Sequence, residues 1–171
     1  MTRSTISFPV REDLTSESSG IAILAFLTIT HPEIAEPLRF VSDGGDYVRD
    51  GVTWTGIPFE FALLTDTDRP PETKIKIQNV DRVIGESIMA MGTEPARVKI
   101  ELLSSLDFDE TVEPRAEIGT AHVEYSASGL MLINISMNAL EVSGSLKSWD
   151  YTQEIWPMTA ATKDRLPALF R

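Results

Sequence analysis

A chain of 171 residues with 42% hydrophobic and 24% charged residues has the size and composition of one ordinary globular domain. Its 15 basic and 26 acidic residues give a formal net charge of −11, which disfavours direct binding to nucleic acid or to anionic membrane surfaces. Because the chain has no cysteine, disulfides, thiolate catalysis and cysteine-ligated metal sites are excluded.

Residues 1–20 are expected to form an N-terminal arm. A weakly amphipathic pattern at 9–18 suits a short helix, but the Ser- and Glu-rich end before Gly20 favours a tether. The arm has no apolar segment typical of a signal peptide. Residues 21–30 are apolar and partly β-branched, which predicts a central strand covered on both faces. This run is too short to cross a bilayer as a helix.

Short strands separated by turn residues are predicted to follow. Asp50-Gly51 is a strong turn signal, so the apolar residues on either side of it should pair as a small hairpin. Apolar and polar residues alternate over 57–63 and again over 73–78. This period of two predicts strands that turn one face inward.

The period changes after this point. The spacing of apolar residues becomes three and four, which predicts the one helix of the domain, at about 81–91. The apolar positions that define it are Val80, Ile84, Ile88 and Met91. Alternation returns over 97–102, which predicts another strand.

The last predicted strands form a hairpin and a closing strand. Residues 118–125 and 130–137 should pair as a hairpin that turns at Ser128-Gly129. The closing strand should place three apolar residues on one side, namely Leu140, Val142 and Leu146.

These elements predict a mainly β fold, an antiparallel β-barrel or sandwich with one inserted α-helix and extended terminal arms. The predicted organisation is an N-terminal arm at 1–20, a barrel or sandwich domain at 21–148 and a C-terminal arm at 149–171.

Several short motifs also occur in a characteristic order. They are HPEIAEPLRFV at 31–41, VTWTGIPFEF at 52–61, a Pro-Pro pair at 70–71 and KIQNVDR at 76–82. In this order the motifs resemble a family of tailed-phage and prophage minor tail proteins usually labelled as a domain of unknown function. The segments NISMNALEVSG at 134–144 and DYTQEIWP at 150–157 fit the same family.

The resemblance implies a β-barrel-like domain related to the distal-tail and hub-type proteins of long, non-contractile tails, and in particular to the minor tail protein L group. The absence of cysteine means that the iron–sulfur feature of that group does not carry over. No catalytic residue and no cofactor carries over either, so the expected protein is not an enzyme.

The resemblance further implies a structural subunit of the phage tail tip, located in the virion after synthesis in the bacterial cytoplasm. Its expected partners are copies of itself in a ring and other tail proteins, such as the tail tube, distal tail or hub proteins. A closed ring needs a head-to-tail interface, and a terminal arm that reaches a neighbour supplies one. The candidate interface residues all lie in the C-terminal arm, namely Trp149, Tyr151, Trp156 and Phe170. Packing within the same subunit is the alternative for Trp149, Tyr151 and Trp156.

Two other functions stay open at this point. The tryptophans and tyrosines could form a sugar-binding platform for host recognition, although Trp54 fits the core better. The acidic stretch of Asp107, Asp109, Glu110 and Glu113 could supply the carboxylates of a cell-wall hydrolase. A solvated loop is the better interpretation of this stretch, because no apolar pocket is predicted to raise the pKa of one carboxyl group.

The remaining polar residues favour structural roles. His31 and His122 lack the positioned partner that a catalytic histidine needs. The spacing of Asp43, Asp46 and Asp50 does not match a calcium-binding loop of the EF-hand type, so turn chemistry explains them better.

Overall fold

The computed structural model describes residues 6–62, 72–78, 85–86, 92, 94–138, 140–149 and 165. In these residues the chain is mainly β, as predicted, with eleven strands in one sheet. The elements are α1 (Phe8–Asp13), β1 (Ile23–Thr30), β2 (Leu38–Val41), β3 (Tyr47–Arg49), β4 (Val52–Gly56), β5 (Phe59–Phe61), β6 (Glu72–Gln78), β7 (Ala96–Ser104), β8 (Phe108–Asp109), β9 (Arg115–Glu117), β10 (Val123–Met137) and β11 (Glu141–Ser148).

The strand order is β5-β6-β11-β10-β7-β1-β2-β4-β3-β9-β8. The pairs β2–β4 and β3–β9 are parallel, and the other pairs are antiparallel. The sheet curls back on itself, because Phe59 and Ile75 from one end share a core with Leu27 and Phe40 from its middle. The Ile57 amide donates to the Val41 carbonyl oxygen at 3.0 Å and so ties the segment before β5 to β2. The result is a barrel-like half followed by a smaller extension of the same sheet.

Strand β1 separates two hydrophobic cores. Ala25, Leu27 and Ile29 point into the larger core, inside the barrel-like half. Leu24 and Phe26 point to the opposite face, into a second and mainly aromatic core. The structure thus confirms the prediction of a central strand covered on both faces.

The aromatic core is organised around the Phe26 ring. Its centroid lies 5.0 Å from that of Trp54 and 5.9 Å from that of Tyr47, both in edge-to-face geometry. It lies 5.5 Å from that of Phe108 in a stacked arrangement. These are the favourable geometries for aromatic pairs, so this core gains specific contacts as well as buried area.

The predicted hairpin at Asp50-Gly51 is confirmed as the β3–β4 pair. Both turn residues have positive φ, 52° for Asp50 and 72° for Gly51. Such a turn matches the right-handed twist of the strands that it joins. The predicted alternation over 73–78 is also confirmed, since Thr73, Ile75 and Ile77 are buried while their neighbours in β6 are exposed.

The predicted hairpin at Ser128-Gly129 is wrong. Strand β10 runs without interruption from Val123 to Met137, and its hairpin partner is β11. Gly129 has a φ of 73°, and the pairing with β7 shifts register between Ala127 and Leu130. A glycine in the left-handed region occurs in β-bulges as well as in turns. Gly129 forms a bulge here, where the sequence predicted a turn.

The prediction that Leu140 lies on the same side of the last strand as Val142 and Leu146 is also wrong. Its side chain is 81% exposed, whereas Val142 and Leu146 are buried as expected. Leu140 precedes β11 in a turn, where the Asn138 Oδ1 accepts hydrogen bonds from the amides of Leu140 and Glu141, both at 2.8 Å. This side-chain bond to the turn fixes the leucine outside the alternating pattern.

The predicted helix at about 81–91 lies outside the described residues, except for Gly85 and Glu86, which are helical.

Within 1–20, helix α1 packs on the sheet. Its Val10 is 3% exposed. The Ser7 amide donates to the buried carboxylate of Glu124 in β10 at 2.6 Å. The division of the chain into arms and a domain stays a prediction.

A polar cluster of Asp43, Tyr47 and Arg115 closes the aromatic core. The Tyr47 hydroxyl donates to the Asp43 carboxylate at 2.7 Å and accepts from the Arg115 guanidinium at 2.6 Å. Arg115 also binds Asp43 directly, and its guanidinium carbon lies 5.2 Å from the centroid of the Tyr47 ring. Burial, followed by the bond to Asp43, raises the pKa of Tyr47 to about 12.

Replacing Gly56 by alanine should destabilise the fold strongly. A Cβ at this position would lie 2.3 Å from the Gly45 carbonyl oxygen, so the backbone between β4 and the adjacent turn has to move apart. We expect Gly56→Ala to lower the free energy of unfolding by about 3 kcal/mol, measured by urea denaturation. Gly44→Ala is the matched control, because a Cβ there meets no atom within 4 Å. Equal denaturation midpoints for the two variants would contradict this account.

Tyr47→Phe should change how stability depends on alkaline pH. The folded-state pKa of Tyr47 is about 12 and its ordinary value is 10.0, so the folded state holds this proton more tightly. The stability that this difference provides is complete below pH 10 and is lost as pH rises through 12. Measured by urea denaturation across this range, the variant should lose stability less steeply than the wild type. The slope should not vanish, because burial also raises the pKa of Tyr125. Identical slopes would refute the assignment.

Candidate functional site

The C-terminal segment contains the four residues predicted for a subunit interface. Trp149 directly follows β11 and is 54% exposed. Tyr151, Trp156 and Phe170 lie outside the described residues. Strand β11 is paired with β10 on one side and with β6 on the other, up to Lys147. The indole of Trp149 is therefore displayed from a backbone that is fixed on both sides.

The other aromatic residues considered for a sugar-binding platform are buried or partly buried where the structure describes them. Tyr47 is fully buried and Trp54 is 7% exposed, both in the aromatic core. This confirms core packing for Trp54. Tyr125 packs partly buried against the larger core. The structure does not bring these three residues together with Trp149 on one exposed surface.

The aspartates on either side of β3 hold turns. Besides its bonds in the polar cluster, Asp43 accepts from the Gly44 amide at 2.7 Å. The Asp46 Oδ1 accepts from the Gly56 amide at 2.8 Å. Asp50 occupies the positive-φ position of the hairpin turn. In the part of the chain that the structure describes, no group of three or more potential metal-ligating side chains is present.

Two carboxylates of the acidic stretch, those of Asp107 and Asp109, also accept hydrogen bonds from the backbone. The Asp107 Oδ2 accepts from the His122 amide at 2.9 Å. The Asp109 Oδ1 accepts from the hydroxyl and the amide of Thr111, and these bonds lower the pKa of Asp109. A glycosidase acid needs a raised pKa instead, so Asp109 is unsuited to that role. Glu110 and Glu113 are exposed.

The histidines are hydrogen-bonded rather than poised for catalysis. His31 is 6% exposed and connects two loops. Its Nδ1 accepts from the Glu33 amide, and its Nε2 lies 3.1 Å from the Glu94 carbonyl oxygen. Because Nδ1 accepts this hydrogen bond, Nε2 carries the ring proton and donates to the Glu94 carbonyl oxygen. The His122 side chain is about half exposed and lies 4.0 Å from the Glu124 carboxylate.

One surface was not predicted from the sequence. It lies where β1 and β10 begin and β7 ends, as the pairings of Ile23 with Ser104 and of Val123 with Leu103 demonstrate. Helix α1 is tied to the same end through the bond of Ser7 to Glu124. We call this surface, formed by residues 6–23 and 104–124, the α1 end. Among the described residues it displays seven large exposed hydrophobic side chains, Phe8, Leu14, Ile118, Leu106, Ile6, Val112 and Ile23.

Two shallow grooves run across the α1 end. The larger, of about 470 Å³, is lined by Leu106, Phe108 and Ile118 together with the carboxylates of Asp109 and Glu110. The smaller, of about 360 Å³, lies beside α1 and is lined by Pro9, Ile21, Glu12 and Asp13 among others. Sequence reasoning missed this surface because its apolar residues are scattered singly through two Ser-rich or acidic segments, and only the fold brings them together.

The fold is shared with a solved structure. A chain from the virion of a native gene transfer agent particle superposes with a TM-score of 0.56 at 12% sequence identity. The alignment covers 91% of this chain and 49% of that one, so the present chain spans about half the length of its structural relative. Among curated proteins, none matches the chain significantly. In the described residues there is no helix long and apolar enough to span a membrane.

Family membership follows from the sequence over most of the chain. Residues 9–160 match the family described as "Domain of unknown function (DUF1833)". This range begins inside α1, includes every strand of the sheet and extends past Trp149. The chain therefore belongs to the DUF1833 family.

Proposed function

We propose that this chain is a non-enzymatic structural subunit of a phage-type virion, located at the tail tip, where a ring of its copies links the tail tube to the hub or fibres. The observation that carries this proposal is the fold that 91% of the chain shares with a chain of the gene transfer agent virion. The order of the sequence motifs between residues 31 and 82 supports the tail-tip position.

The ring interface is assigned to the C-terminal arm, residues 149–171. A closed ring needs a head-to-tail contact in which one surface of a subunit meets a different surface of its neighbour. The 22 residues after Trp149 can reach at most roughly 75 Å when extended, which is enough to cross a neighbouring subunit. The anchors are aromatic, since aromatic side chains dominate the binding energy of interfaces. They are Trp149, Tyr151, Trp156 and Phe170.

The charge of the protein suits this location. A formal net charge of −11 repels the phosphate backbone, so DNA leaving the tail would pass such a ring without binding to it. The subunit's partners are then proteins of the tail tube, distal tail or hub. A wall hydrolase is a weaker alternative, because the pKa of Asp109 is lowered rather than raised.

The test is incorporation into particles. A producing cell that lacks the gene is complemented with the wild-type chain or with Trp149→Ala/Trp156→Ala, and the purified particles are assayed by quantitative mass spectrometry. The wild-type chain should be present at a fixed number of copies per particle. The double variant should be strongly depleted, because truncating interface tryptophans costs about 2 kcal/mol or more at each site.

Leu140→Ala is the matched control, because Leu140 is also apolar and exposed but lies outside the C-terminal arm. It should be incorporated like the wild type. Absence of the wild-type chain from particles would refute the virion role. Normal incorporation of the double variant would refute only the role of the arm.

A further inference from the structure

The α1 end has the chemistry of a protein-binding surface that is distinct from the C-terminal arm. We propose that it docks a different protein whose contact surface is apolar at its centre and carries lysine or arginine at its rim. This contact involves none of residues 149–171. The argument rests on the exposed apolar area, on the rigidity of the backbone beneath it and on its charge.

The apolar area is concentrated rather than scattered. Of the ten large hydrophobic side chains exposed in the described residues, seven lie at this end of the molecule. Phe8, Leu14 and Ile118 are each at least 60% exposed. Single exposed hydrophobic residues are ordinary, but a concentrated set marks an interaction surface. Covering it removes apolar area from water at about 25 cal/mol per Å².

The backbone that displays these side chains is fixed. Ala22 and Ser105 hold the start of β1 against the end of β7 through two bonds, from the Ala22 amide to the Ser105 Oγ at 3.1 Å and from the Ser105 amide to the Ala22 carbonyl oxygen at 2.9 Å. The Ile118 amide donates to the Asp107 carbonyl oxygen at 2.7 Å. A surface held in this way loses little conformational entropy when a partner binds.

The charge determines the kind of partner. Glu12, Asp13, Asp109 and Glu110 line the two grooves, and no basic residue is among the described residues that line them. Hydrogen bonds from Ser19 and Gly20 lower the pKa of Asp13, and bonds from Thr111 lower that of Asp109, so both carboxylates stay ionised.

The basic side chains nearby are outnumbered. The α1 end contains nine acidic residues and two arginines, of which Arg11 lies over the Phe8 ring at 5.6 Å and Arg115 is bound to Asp43. Two copies that met through the α1 end would bring like charges together, which disfavours a symmetric dimer. A partner with a basic rim instead gains electrostatic attraction at the same contact.

The test uses two synthetic probes and the full chain. One probe is an amphipathic peptide of leucine and lysine, and the other is its twin with glutamate in place of lysine. Affinity is measured by fluorescence anisotropy, and the contact is mapped by amide chemical shifts of the isotope-labelled protein. The variants are Leu106→Ser/Ile118→Ser and Glu110→Lys. Their controls are Leu140→Ser and Glu36→Lys, which make the same kinds of change at exposed positions away from the α1 end.

We expect the lysine peptide to bind and to shift amides of residues 6–23 and 104–124, while the glutamate peptide does not bind. Each α1-end variant should weaken binding by about tenfold, which corresponds to roughly 1.4 kcal/mol, and the controls should leave it unchanged. If Glu36→Lys weakened binding as much as Glu110→Lys does, the peptide would be recognising only the overall charge of the protein, and the proposal would be overturned. The proposal would also be overturned if the peptide shifted amides outside residues 6–23 and 104–124. A dimer detected by light scattering and dissociated by Leu106→Ser/Ile118→Ser would overturn it as well.

Discussion

The burial of β1 on both faces is the constraint on which the rest of the structure depends. Consecutive residues of this strand enter different cores, so Phe26 supports the aromatic core while Leu27 supports the larger one. Neither half of the sheet can rearrange its packing without moving the strand that it shares with the other. This explains why β1 has an almost uniformly apolar sequence, whereas strands with one face exposed to solvent, such as β6, alternate.

Polar contacts hold the extension of the sheet in place beside β1. Arg49 of β3 binds Glu101 of β7 at 3.0 Å, and Lys99 binds the other oxygen of the same carboxylate at 2.9 Å. The Glu101 side chain is only 10% exposed, and the Arg49 guanidinium carbon lies 5.8 Å from the centroid of the Phe26 ring. Desolvation offsets much of the attraction in a buried pair of this kind, but removing one partner would leave the other charge buried and unpaired. The orientation of β3 and β4 is thus specified by charge as well as by aromatic packing.

Much of the fold could be predicted from local sequence, and the failures share one physical cause. The strand at 21–30, the turn at Asp50-Gly51 and the alternation in β6 depend on short-range patterns, and the structure agrees with each. The predictions for Gly129 and Leu140 are wrong for a related reason. A glycine at positive φ fits a bulge as well as a turn, and an apolar residue beside a turn can lie in the strand or outside it. Only the long-range pairing decides between these contexts.

The same limit applies to the surfaces. The aromatic residues of the C-terminal segment stand out in the sequence. Of this segment, the structure describes Trp149 and Arg165. The α1 end could not be found this way, because Phe8 and Ile118 are more than a hundred residues apart and each is unremarkable among its neighbours. The prediction of turn chemistry for Asp43 and Asp50 is confirmed, since an aspartate followed directly by glycine is typical of turns.

The length of β10 has a mechanical consequence. Its 15 residues extend over roughly 50 Å and join the α1 end, through Glu124, to the hairpin that displays Leu140. The strand is paired with β7 along its first part and with β11 along its second. A pull between the two ends is therefore carried by the covalent backbone of β10, while the pairing with β7 and β11 holds the strand extended. Force applied along this line meets covalent bonds rather than hydrogen bonds.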